Sequence, residues 1–147
     1  MRSASRRAVV LAVAALLAAP AFAAGEAVWQ SHASEQPSLV LDHGKKWPTD
    51  AALRRGMENI RAALDEGLEY VVLARIVTAE VNGIVHDCKL EPAADRQLHI
   101  LLIDVLAGAE AMEGKAKGES PGAGAERVAK ALNAYGEHFD HAGWEQR

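Results

Sequence analysis

Ile60-Arg61-Ala62-Ala63-Leu64-Asp65-Glu66-Gly67-Leu68-Glu69-Tyr70-Val71-Val72-Leu73-Ala74 decides how many helices the chain contains. The apolar spacing can be carried straight through it at positions 60, 64, 67, 71 and 74, which makes one long helix from 49 to 88. The local chemistry favours a break instead. Asp65 and Glu66 sit badly at a helix interior join, Gly67 suits the left-handed residue that follows a helix end, and Glu69 suits a new first turn. The break predicts two helices where the periodicity alone allows one.

Working outward, the same periodicity recurs. Leu53, Met57, Ile60 and Leu64 line one helix face; Leu73, Val77, Val81, Ile84 and Cys88 line a second. Leu98, Leu102, Val105, Ala109 and Met112 form a third stripe, and Val128, Leu132, Tyr135 and Phe139 a fourth. Asp104 falls beside the third stripe and is expected on the exposed face. Thr49 or Asp50 can cap the first helix, and Pro92 suits a first helical turn. Residues 114–124 hold Gly114, Gly118, Pro121, Gly122 and Gly124 and read as a loop. No alternating run marks a strand. The expectation is an all-α, up-down-up-down four-helix bundle over residues 47–147.

The amino terminus reads differently. Arg2, Arg6 and Arg7 precede an apolar run over residues 8–19, and Ala21-Phe22-Ala23 follows Pro20. This is the pattern of a secretory signal peptide over residues 1–23, with a run too short to span a bilayer. Residues 24–46 show no apolar period and are expected to form an extended arm, in which Ser38-Leu39-Val40-Leu41 can pack on the domain. Cleavage after Ala23 leaves 124 of the 147 residues; loss of the three arginines leaves 13 basic against 20 acidic, a net charge of −7. That balance argues against nucleic-acid binding. One Cys excludes an internal disulfide and leaves a single thiol in an exported, hence periplasmic, protein.

In the expected topology one pole collects the start of the first helix, the end of the second, the start of the third and the end of the fourth. His43, Trp47, His86, Cys88, His99, His138, Phe139, His141 and Trp144 are expected near it, with Met57 roughly 12 Å and His99 roughly 9 Å into their helices at 1.5 Å per residue. Thiol, imidazole and thioether donors together favour copper or zinc. Cys88, His99, Met57, His138 and His141 are therefore candidate metal ligands, with copper the most plausible metal. Met57 facing His99 is also the axial pair of a b-type haem carrier. Each residue has a plainer role: Cys88 and Met57 as core packing, His99 as a hydrogen-bonded core histidine, His138 and His141 as solvated or capping residues. Trp47, Phe139 and Trp144 either seal the bundle end or offer a docking surface for a periplasmic partner. A homodimer joined through Cys88 belongs to that reading. No phosphate loop, His-Glu-x-x-His, Gly-x-Ser-x-Gly or Cys-x-x-Cys-His occurs, and a non-enzymatic role is expected.

Three ordered motifs carry a resemblance. They are Leu41-Asp42-His43-Gly44-Lys45-Lys46-Trp47 with Thr49-Asp50, Leu53-Arg54 and Gly56-Met57; Cys88-Lys89-Leu90-x-Pro92-x-Ala94-Asp95-x-x-Leu98-His99; and Tyr135-Gly136-x-x-Phe139-Asp140-His141-x-Gly143-Trp144. Over residues 39–144 the chain resembles a family of small, largely uncharacterised exported proteobacterial proteins. The resemblance implies an exported helical bundle with these motifs as its distinctive surface. It also implies a connection near residue 67, and it departs from the family at Ala142, where a proline is usual.

Overall fold

The structure, a computed structural model, describes residues 37–145. The expected signal peptide (1–23) and the first part of the expected arm (24–36) lie outside the described residues. Four helices pack against one another: α1 (Ala51–Asp65), α2 (Tyr70–Asp87), α3 (Pro92–Met112) and α4 (Pro121–His138). Two dipeptide strands, β1 (Trp47–Pro48) and β2 (Phe139–Asp140), pair in parallel, Trp47 with Phe139 and Pro48 with Asp140. This pairing is absent from the sequence expectation, because two residues are too few to show an alternating pattern.

The break at Gly67 is real. Helix α1 ends at Asp65, Glu66 donates its backbone N–H to Ala62, and Gly67 takes φ +64°, a conformation that side chains with a Cβ resist. Glu69 stands one place earlier than expected, as the residue preceding α2. Asp50 rather than Thr49 caps α1, its Oδ1 accepting the Leu53 N–H at 2.8 Å. Pro92 opens α3 as expected. The loop expected over 114–124 is shorter: Ser120 accepts the Ala123 N–H at 3.2 Å, and residues 121–124 form the first turn of α4. Ser followed by Pro is a start signal that outweighs two glycines inside one turn.

The core follows the four stripes. Leu53, Met57, Ile60, Val77, Val81, Ile84, Val105, Leu132, Tyr135 and Phe139 are all buried to within 1% exposure. Asp104 is exposed, as its position beside the stripe requires. The α3–α4 interface is the most extensive, and it is a backbone contact. A Cβ on Gly124 would lie 2.5 Å from the Gly108 carbonyl oxygen, and one on Gly108 would lie 2.7 Å from the Gly124 carbonyl oxygen. The second half of the expected arm does pack on the bundle. Leu39 is partly buried against the core, Val40 accepts from Trp47 Nε1 at 2.6 Å, and the Val40 N–H donates to Gln97 at 2.9 Å. Among the described residues no helix is long and apolar enough to cross a membrane.

Candidate functional site

One pole gathers an end of each of the four helices. The β1–β2 pair ties the entry to α1 against the exit from α4, and Asp50 ties α1 to the end of α2. Its Oδ2 accepts the Lys89 N–H at 2.6 Å while Oδ1 caps α1. Burial alone would raise the Asp50 pKa. The hydrogen bonds from Leu53, Lys89, Cys88 and Ala52 outweigh burial and hold it below the ordinary carboxylate value.

Cys88 is half-buried beside this carboxylate. Burial, the Asp50 charge, the hydrogen bond to Asp50 and the Asp95 charge push its thiol up to about 12. A thiol held in its protonated form is a poor nucleophile. Cys88 stands as a hydrogen-bond donor to Asp50.

The other expected metal donors stand apart from it. Met57 is wholly buried, within the α1 stripe. His99 is on the outside of α3, its side chain 57% exposed, with Nδ1 2.9 Å from the Asp95 carbonyl of its own helix. The expected pairing of Met57 with His99 across the core does not form. Position 99 follows the stripe residue Leu98, and the core stripe passes through Leu102 rather than through it. His138 turns back onto the Ala134 carbonyl at 2.8 Å. His86 lies against Asp87, with its side chain 87% exposed, and the His43 side chain is 99% exposed. Among the described residues no group of three or more His, Cys, Asp or Glu is placed to hold a metal ion.

His141 is different. Its side chain is only 3% exposed and is held at both ring nitrogens. Tyr135, wholly buried, places its hydroxyl 3.0 Å from Nδ1, and Glu58 places Oε1 2.9 Å from Nε2. Burial raises the Tyr135 pKa; Arg54 opposes that, while Glu58, Cys88 and Asp50 add to it. The phenol therefore stays protonated and can donate to Nδ1. In the neutral imidazole the remaining proton then sits on Nε2 and points at Glu58.

Aromatic rings build the floor beneath His141. Tyr135 stacks on Phe139 with centroids 5.3 Å apart, meets Trp144 edge-on at 4.8 Å, and His141 lies 5.1 Å from Trp144. The Arg61 guanidinium covers the Trp144 ring at 4.3 Å. Phe139 is fully buried and Trp47 and Trp144 are partly so, which makes these three the seal of the bundle end. A partner cannot touch Phe139.

Above the seal opens a cleft of about 470 Å³, lined by Pro48, Thr49, Arg54, Glu58, Asp140, His141 and Ala142. Thr49 Oγ1 donates to the Asp140 carbonyl at 2.6 Å, and Arg54 donates to the Thr49 carbonyl at 2.9 Å, so the walls are cross-braced. Sequence reading named His141 but missed Tyr135 and Glu58 as its partners. Glu58 looks like an ordinary exposed position between Met57 and Ile60, and it lies 83 residues from His141. Tyr135 was legible as a core residue, and a buried phenol needs a partner. That need was the available signal. No family model, no curated protein and no solved structure matches the chain.

Proposed function

We propose that the protein is an exported, non-enzymatic binding module that works through the polar cleft at its sealed pole. The observation that carries the reading is His141, a buried imidazole fixed by Tyr135 and aimed at the cleft wall. Binding sites combine a largely preformed concavity with a few fixed polar groups, and braced walls lower the cost of ordering on binding. Export rests on the basic-then-apolar start of the sequence. A copper site or a b-type haem would need Cys88, His99 and Met57 to converge, and their positions lend that no support.

The test is a fragment screen by nuclear magnetic resonance on protein purified from the periplasm without an affinity tag. Hits are expected to shift Thr49, Arg54 and His141 together. Hits scattered over the helix faces with these residues unmoved would contradict the reading.

A further inference from the structure

We propose that the cleft beside His141 is a carboxylate site, in which a ligand carboxylate replaces Glu58 on His141 Nε2 and lies beside Arg54. The inference rests on the binding-module reading and names its ligand class.

Glu58 and His141 differ sharply in freedom. The imidazole is buried on a braced tail, whereas the Glu58 side chain is 54% exposed. The Glu58 carboxylate thus rests on a fixed buried donor from the solvent side, where an incoming carboxylate would also arrive. Arg54, one turn earlier on α1, lines the same cleft, and its N–H to the Thr49 carbonyl and hydroxyl at 2.9 and 3.1 Å fixes the guanidinium there. Thr49 adds a side wall, tied in turn to Asp140. A carboxylate exchanged for Glu58 keeps the hydrogen bond to Nε2 and, free of the helix backbone, can approach Arg54 directly, and charge-assisted bonds of this kind are the strong ones. Release of Glu58 to solvent costs little, because it is already half exposed.

The cleft also limits the charge it can take. Asp140 lines it alongside Glu58. With the imidazole neutral, the two carboxylates already outnumber the one guanidinium, so each further negative charge is opposed, and a dianion more strongly than a monoanion. The ligand class is therefore a monocarboxylate, and inorganic phosphate is disfavoured.

The experiment follows the ring nitrogens of His141 and the indole of Trp144 by nuclear magnetic resonance. Acetate, inorganic phosphate and chloride are titrated at matched ionic strength. Acetate is expected to shift both rings saturably, and phosphate and chloride are expected not to. Glu58→Ala removes the internal competitor and is expected to bind acetate roughly tenfold more tightly, the size of one net hydrogen bond to a charged group. Glu58→Gln keeps the shape without the charge and is expected to bind more tightly than the natural protein, which covers any loss of folding in the alanine variant.

The proposal is overturned if acetate moves His141 no more than chloride does. It is equally overturned if phosphate moves it more, or if both Glu58 variants bind acetate more weakly. Fragments that settle in the cleft while acetate does not would leave the binding-module reading standing and remove only the carboxylate.

Discussion

The two poles of the bundle are closed by different means. At the cleft pole the closure is side-chain chemistry: Asp50 joins α1 to Lys89 and Cys88, and Tyr135, His141 and Glu58 join α4 and its tail to α1. At the far pole it is backbone geometry. Gly67, Gly114 and Gly118 take positive φ to turn the chain, and Gly108 and Gly124 bring α3 and α4 into main-chain contact. The lesson is one of division. The far pole turns its hairpins on glycines, with surface pairs such as Arg127–Glu119 and the Ser120 cap beside them, whereas the buried polar contacts of Tyr135 and His141 lie at the cleft.

The largest effect is expected from breaking the glycine-closed end. Gly124→Val pushes a branched side chain into the Gly108 carbonyl and the Met112 N–H and should destabilise by about 3 kcal/mol, measured by urea unfolding. The cleft pole should keep its His141 resonances in the fraction that stays folded.

Next in size, Tyr135→Phe leaves the His141 Nδ1 buried without its hydroxyl partner, at a cost of about 2 kcal/mol. Hydrogen exchange should quicken over residues 140–144 and stay unchanged around Gly67. Uniform quickening would mean that the poles are not independent.

Asp50→Ala removes the helix cap and the Lys89 acceptor together and should cost about 1–2 kcal/mol. The Asp50 carboxyl has a folded-state pKa below its ordinary 3.8, so its contribution is fully present above that value. It is lost as pH falls through the lower, folded-state value. The stability gap between natural protein and variant should therefore be full at neutral pH and close in acid. The variant should also alkylate faster at Cys88, since Asp50 is among the groups that hold the thiol protonated.

The smallest effect is expected at the far pole's surface. Arg127 meets Glu119 at 2.6 Å, but both side chains are more than a third exposed. Arg127→Ala should change stability by less than about 1 kcal/mol.

Much of this architecture was legible in the residues. The four stripes named the core, because burial on one helix face repeats every three to four positions, and Gly67 announced the turn through its neighbours. The chemistry at the cleft pole was less legible. His99 lies off the Leu98–Leu102 line and stands on the outside of α3, and Cys88 meets a carboxylate, Asp50, that nothing in its own motif announces. Glu58 carried no local mark at all, since its role comes from a tail folded back across 83 positions of sequence. Periodicity reports which face is buried. It does not report which distant polar group arrives at an exposed position.

The central claim is that Tyr135 fixes His141 with its proton on Nε2, facing the cleft. The direct measurement is the pair of ring nitrogen shifts of His141 in the neutral imidazole. The account predicts a protonated Nε2 coupled to Glu58 and a bare Nδ1 accepting from Tyr135. A proton on Nδ1, or two nitrogens averaging as in a free imidazole, would contradict it.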